Sequence, residues 1–318
     1  MHILLRIRDT DDEIRRWQRA LAIALPEAHW HPESDIAPEL MDQIRVAVVA
    51  NPPAGALRGY PKLEFVQSLW AGVDSLLADN SVPEHLMIAR MVDPAMAQAM
   101  AETALWATLS LHRGYFDYQQ QQRDRIWCDL PQRRASDVRV TVLGLGAMGL
   151  TSAKRIASLG YAVSAWRTGH RHRDLADTAG IDVVSGTDAL RHLLSKSGIV
   201  INLLPLTAQT RGLLNRDFFM AMPKGSSIVN LGRGGHLIEA DLLSVLDAGH
   251  LHRAVLDVFQ TEPLPADSAF WAHPKVTVLP HIAAITDPVS ASQIVAKQIR
   301  SWAAGGPVAH QVQRGRGY

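Results

Sequence analysis

The chain has 318 residues, 47% of them hydrophobic, and its 32 basic and 31 acidic residues leave a formal net charge of +1. That balance removes the electrostatic case for a nucleic-acid or anionic-membrane partner, and the length suits about two domains of ~100–200 residues. A single cysteine, Cys128, excludes an intrachain disulfide and suits a reducing, cytoplasmic setting, and no apolar run reaches the ~18 residues of a membrane span.

Taken in chain order, apolar runs predict a strand at 3–7, an amphipathic helix at 11–25, and strands at 46–50, 63–69 and 86–92. Trp70-Ala71-Gly72-Val73-Asp74 reads as a turn that opens a helix. Residues 96–111, rich in Ala and Met without Gly or Pro, predict a helix connecting two domains, and its Met and Trp residues read as packing. Residues 127–134 read as a loop. Further strands are predicted at 138–143, 162–166, 198–203, 227–231, 254–259 and 276–279. Strands alternating with helices predict α/β domains with parallel sheets, the second of them doubly wound. In such sheets ligands gather beyond the carboxyl ends of the strands. The basic tail, 313–318, reads as a solvated end.

Val142-Leu143-Gly144-Leu145-Gly146-Ala147-Met148-Gly149 carries glycines at the G-x-G-x-x-G spacing, between a predicted strand and a predicted helix. Gly144 permits the tight turn, Gly146 lets backbone approach a pyrophosphate, and Gly149 lets the helix lie on the strand. The predicted helix, 150–159, offers the free N–H groups of its start to phosphate. Some 137 residues precede this unit, so another domain must come first.

The other strand ends carry the remaining candidates. After Trp166 comes Arg167-Thr168-Gly169-His170-Arg171, with no acid to accept from the ribose hydroxyls before Asp174. Arg167, Thr168 and Arg171 could hold a 2′-phosphate, which favours NADP(H) while leaving NAD(H) possible; a solvated basic loop is the plainer alternative. Leu204-Pro205-Leu206-Thr207-Ala208-Gln209-Thr210 could line the ribose and nicotinamide side. Leu231-Gly232-Arg233-Gly234-Gly235 presents a guanidinium that can grip a carboxylate or 2-keto acid through paired bonds, or form a surface ion pair. Past 254–256 come Asp257 and Glu262, and past 276–279 comes His281, whose ordinary pKa suits proton exchange near neutrality. No metal site is expected.

These residues resemble the D-isomer-specific 2-hydroxyacid dehydrogenase family, in particular its glyoxylate/hydroxypyruvate reductase A branch. The likeness rests on Trp70-Ala71-Gly72-Val73-Asp74, the glycine fingerprint, Ile201-Asn202-Leu203-Leu204-Pro205, Asn230-Leu231-Gly232-Arg233-Gly234, Leu256-Asp257-Val258-Phe259 with Glu262-Pro263-Leu264-Pro265, Pro280-His281-Ile282-Ala283-Ala284 and the ending Arg314-Gly315-Arg316-Gly317-Tyr318.

The resemblance implies two doubly wound parallel-sheet α/β domains: a flavodoxin-like substrate domain, 1–98 plus 287–318, and a Rossmann cofactor domain inserted at 99–286. It implies reduction of small 2-keto acids such as glyoxylate and hydroxypyruvate, with His281 as proton donor, Glu262 holding it protonated and Arg233 binding the keto acid. Asp257 would meet the nicotinamide amide. Backbone amides at Ala71 and Gly72 would hold the substrate carboxylate, and Trp70 would limit the pocket. It implies Gly144, Gly146, Ala147, Met148, Gly149, Trp166, Arg167, Thr168, Leu204, Pro205, Thr210, Leu231, Gly232 and Ala283 around the cofactor. A homodimer is expected, with Trp127 reaching toward a partner's site. Many members carry glycines after the His, where this chain has Ala283 and Ala284. Two other readings remain: a redox-sensing NAD(P)(H)-binding regulator of the same fold, and an enzyme like 3-hydroxyisobutyrate dehydrogenase or the imine reductases, whose fingerprint begins the chain and whose second domain is all helical.

Overall fold

In the computed structural model, residues 1–32, 36–169, 178 and 180–317 are described. They form two compact units, Met1–Met96 with the residues from Thr286 onward, and Ala97–Ile285.

The first unit holds a five-stranded parallel sheet in the order β2-β1-β3-β4-β5. Its strands are β1 (His2–Ile7), β2 (His29–Pro32), β3 (Val46–Ala50), β4 (Phe65–Ser68) and β5 (Met87–Ala89). This is the flavodoxin-like order. Alternate residues of β1, β3 and β4 face opposite sides, and both sets are buried, as a parallel sheet covered on two faces requires. Helix α1 (Asp11–Ala24) starts at Thr10, whose side chain accepts from the Glu13 N–H, and three acids in its first turn complement the helix dipole. Helices α2 (Pro38–Met41) and α3 (Asp74–Ala78) are short.

The chain returns to this unit after Thr286. Helix α10 (Pro288–Ala303) begins with Asp287 accepting from the Ser290 N–H, and it packs on α1. Arg300 donates to both carboxylate oxygens of Glu27, at 2.7 and 3.1 Å. The tail then closes the sheet edge. Gln311 bridges antiparallel to Ala89, Val312 donates its N–H to the Ile88 carbonyl at 2.8 Å, and Arg314 Nη2 reaches the Pro83 carbonyl. The residues just before the basic tail are thus bound to β5, whereas within the tail Gln313, Gly315 and Arg316 are exposed and Arg314 is held at Pro83.

The second unit holds a seven-stranded parallel sheet in the order β12-β11-β10-β9-β6-β7-β8. The strands are β6 (Arg139–Leu143), β7 (Ala162–Arg167), β8 (Asp182–Ser185), β9 (Ile199–Asn202), β10 (Ser226–Asn230), β11 (Leu251–Leu256) and β12 (Val276–Val278). The order reverses between β6 and β9, which makes their carboxyl ends the topological switch point. Residues on the two faces of these strands belong to two separate apolar cores: Val200, Ile228 and Ala254 in one, Ile201, Val229 and Val255 in the other. Helices α4 (Pro94–His112), α5 (Tyr115–Asp124), α6 (Ala147–Ala157), α7 (Thr187–Leu194), α8 (Arg216–Met220) and α9 (Glu239–Asp247) complete the connections.

One expected strand, 254–259, is displaced. β11 runs from Leu251 to Leu256, and Val258 and Phe259 are buried beyond the ladder, so their apolar character reports packing under a loop rather than strand. Strands β2 and β8 are absent from the sequence reading. Among the described residues no helix is long and apolar enough to cross a membrane.

Candidate active site

Three neighbouring strands of the second unit deliver the charged groups. Arg233 follows β10, Asp257 and Glu262 follow β11, and His281 follows β12, all at carboxyl ends. His281 Nδ1 lies 2.7 Å from Glu262 Oε2, and Glu262 Oε1 accepts from the Phe259 N–H at 2.8 Å. Burial is the largest single influence on Glu262 and pushes its carboxyl up. The bonds from His281 and Phe259, with the positive charges of His281 and Arg233, outweigh it and hold the group below the usual glutamate range. The His281 side chain is 49% exposed, so the imidazole edge away from Glu262 can exchange a proton with a bound molecule.

Asp257 sets where that imidazole sits. His281 adopts a left-handed backbone, φ 56°, which costs a non-glycine residue ~1–2 kcal/mol. Three bonds to Asp257 hold it there. The Asp257 carbonyl accepts from the His281 N–H at 2.9 Å, and its two carboxylate oxygens accept from the Ile282 and Ala283 N–H groups at 2.8 and 3.0 Å. Burial raises the Asp257 carboxyl above its ordinary value, against the pull of those two amides.

The Arg233 loop is glycine by necessity. A Cβ on Gly234 would run into the Phe259 carbonyl, and one on Gly232 would stand 2.9 Å from Asn202 Nδ2. Arg233 is half-buried, and its Nη1 donates to the Gly232 carbonyl at 2.8 Å.

The glycine fingerprint lies across the switch point. Gly144 has φ 93°, and a Cβ there would stand 2.7 Å from the Leu203 carbonyl oxygen. A Cβ on Gly149 would collide with the Gly144 carbonyl, so helix and strand pack backbone to backbone. A Cβ on Gly146 would meet nothing within 4 Å and would only fill open space before the helix. Gly146 is the N-cap of α6 and no side chain caps it, leaving the first helical amides, at Ala147 and Met148, for an anion. This cradle fits a dinucleotide pyrophosphate.

The remaining candidates divide by accessibility. Arg167 ends β7 and Thr168 is exposed just beyond it; His170, Arg171 and Asp174 lie outside the described residues. Trp166 is buried, and its indole N–H donates to the Gly186 carbonyl at 2.9 Å. Leu204, Leu231 and Ala283 are buried, whereas Pro205 is half-buried. Thr210 Oγ1 donates to the Pro205 carbonyl at 2.7 Å and closes the loop after β9. Trp127 is 98% exposed. In the first unit, Trp70, Ala71 and Gly72 follow β4. Ser68 Oγ accepts from the Trp70 N–H and donates to its carbonyl, and the indole packs edge-on against Trp17 at 6.1 Å. Among the described residues the Ala71 and Gly72 N–H groups make no hydrogen bond.

Residues 105–283 match the family model described as "D-isomer specific 2-hydroxyacid dehydrogenase, NAD binding domain". A relative called glyoxylate/hydroxypyruvate reductase A, from Salmonella heidelberg, is 36% identical over 310 residues, which span 95% of this chain and 96% of the relative. The chain belongs to the D-isomer specific 2-hydroxyacid dehydrogenase family. As a member it is an NAD(P)-dependent oxidoreductase, and its fold has solved counterparts. A 2-hydroxyacid dehydrogenase from Xanthobacter autotrophicus Py2, in complex with NADPH and MES, superposes with a TM-score of 0.91 at 35% identity, covering 99% of both chains. An NADPH-dependent glyoxylate/hydroxypyruvate reductase from Sinorhizobium meliloti, in complex with NADP and sulfate, gives 0.91 at 31% identity over 100% of this chain and 99% of that one. The grouping with 3-hydroxyisobutyrate dehydrogenases needs an all-helical domain after the fingerprint; this dehydrogenase instead continues the parallel sheet to Val278.

The sequence reading overlooked a buried polar cluster in this dehydrogenase, Asn202, Asn230 and His236. The available signal was that β9 and β10 each end in asparagine directly after apolar residues, Ile199–Ile201 and Ile228–Val229.

Proposed function

We propose that this enzyme reduces small 2-keto acids, glyoxylate and hydroxypyruvate among them, to the corresponding 2-hydroxy acids. NADPH is the preferred cofactor and NADH the slower one. The observation that carries the reading is the 2.7 Å His281–Glu262 pair beside Arg233 on three adjacent strand ends. Bound nicotinamide supplies the hydride. Arg233 holds the keto acid and offsets the charge growing on its carbonyl oxygen, and His281 Nε2 delivers the proton to that oxygen. Glu262 takes Nδ1 and so fixes the ring with Nε2 toward substrate. The Ala71 and Gly72 amides anchor the carboxylate, and Trp70 limits the size of the acid.

NADPH preference is supported by Arg167 and the missing acid after β7, and by the cofactors bound in the Xanthobacter and Sinorhizobium enzymes. We assign 1–98 plus 287–318 to substrate binding and 99–286 to the cofactor, in a cytoplasmic homodimer with Trp127 turned to its partner. The test follows absorbance at the nicotinamide band with NADPH or NADH against glyoxylate, hydroxypyruvate, pyruvate and phenylpyruvate. Fast loss of NADPH with glyoxylate and hydroxypyruvate, and slower loss with NADH, supports the reading. His281→Ala should lower turnover ~10²–10⁴-fold with cofactor binding kept, and an active variant removes His281 as the acid.

A further inference from the structure

Beneath the Arg233 loop lies the polar cluster that this mechanism does not use. Asn202 and Asn230 end β9 and β10 and pair directly across the ladder. Asn202, Asn230 and His236 are all fully buried. Asn202 Nδ2 donates to Asn230 Oδ1 and to His236 Nδ1, each at 2.9 Å. The Arg233 N–H also points at His236 Nδ1, at 3.2 Å. Two donors on one ring nitrogen make it the acceptor, so the hydrogen sits on Nε2, which donates to the Pro205 carbonyl at 3.2 Å. The 3.1 Å approach of Nδ1 to the Arg233 carbonyl is then no hydrogen bond; that carbonyl accepts from Asn230 Nδ2 at 3.2 Å. Buried groups thus grip Arg233 at both its N–H and its carbonyl. The same imidazole ties the loop after β10 to the loop after β9.

We propose that His236 is a positioning residue that aims the Arg233 guanidinium at the 2-keto acid, an inference that rests on the role given to Arg233 above. The acceptor at Nδ1 is the decisive feature. Without it the Arg233 N–H and one Asn202 amide hydrogen are buried with no acceptor there, and the loop relieves them by turning its backbone. A guanidinium on a long side chain amplifies that turn, and a displacement of ~1 Å in a catalytic array costs ~10²-fold.

The test compares two polar variants of the full chain. In His236→Asn the side-chain oxygen can take the place of Nδ1 as acceptor. In His236→Gln the amide can replace the Nε2 donor to Pro205 while the acceptor beside Arg233 is lost. His236→Gln should lose ~10²-fold in kcat/KM for the keto acid, with the Kd for NADPH within about twofold, whereas His236→Asn stays within about tenfold of the parent. Arg233→Ala/His236→Gln should be no slower than Arg233→Ala alone, because His236 acts through that side chain. A role confined to stability would instead lower the melting temperature of both His236 variants and give losses that multiply with Arg233→Ala. Multiplying losses overturn the proposal, as does a His236→Gln enzyme more active than His236→Asn. An Arg233→Ala enzyme with parent activity overturns the role of Arg233 itself, a separate failure.

Discussion

Removing the Asp257 carboxylate should disarm His281 without touching it. In Asp257→Ala the Ile282 and Ala283 N–H groups lose acceptors that now stand at 2.8 and 3.0 Å. A hydrogen bond to a charged group contributes ~1.5–3 kcal/mol, so this clamp supplies ~3–6 kcal/mol. The left-handed backbone of His281 costs ~1–2 kcal/mol, which the clamp exceeds. Without it, the one remaining bond, from the His281 N–H to the carbonyl of residue 257, contributes only ~1 kcal/mol and no longer outweighs the strain. His281 should then relax out of the left-handed region and lose its 2.7 Å partner Glu262. A placed general acid is worth ~10²–10⁴-fold, so kcat should fall by at least ~10²-fold. The assay pairs steady-state reduction of glyoxylate with NADPH affinity from nicotinamide fluorescence, on variants checked for unchanged far-ultraviolet circular dichroism. A variant that keeps its kcat but binds cofactor weakly would refute the clamp and leave Asp257 as a contact of the nicotinamide amide.

Three further outcomes are expected. Glu262, held below its usual range, contributes stability that is present above the unfolded glutamate pKa of ~4.3 and is lost as pH falls through its lower folded value. Glu262→Gln should therefore flatten the acid limb of a plot of melting temperature against pH, and an unchanged limb contradicts the assignment. Gly149→Ala forces a methyl group into the Gly144 carbonyl; overpacking of this kind costs ~1–3 kcal/mol, and urea unfolding should report a loss of that size together with weaker NADPH binding. Arg167→Ala should raise the KM for NADPH by ~10–100-fold, the worth of a charge-assisted bond to phosphate, and leave the KM for NADH within about twofold; equal effects on both cofactors would remove the 2′-phosphate role.

The parts of this fold that were legible in sequence are those where burial alone decides. Val46–Ala50 is buried at every position and was readable to the residue. β2 and β8 escaped because they are four-residue edge strands, exposed or half-buried throughout, and β2 reads His-Trp-His-Pro. Edge position removes the apolar pattern on which a strand is recognised. In the site, the arginine, the acid and the histidine could be picked out because each follows a predicted strand. The grip on Arg233 could not, since Asn202 and Asn230 are 28 residues apart and become neighbours only through the parallel register of β9 and β10. Nor could the left-handed backbone of His281, which depends on a carboxylate 25 residues earlier reaching the Ile282 amide.

The return of the chain after Thr286 separates the order in which the first unit is made from the order in which it can be finished. Its five strands precede the whole second unit, yet the groups that cover α1 and β5 come from Arg300, Gln311, Val312 and Arg314, with partners up to 276 residues away. Contacts of such long range are slow to form, because loop closure precedes any gain from them. During synthesis the second unit, continuous in sequence, can fold as soon as it is complete, while the earlier sheet waits with an open edge at β5. A pulse-labelled nascent chain should thus show protease resistance at Ala97–Ile285 before it appears at Met1–Met96.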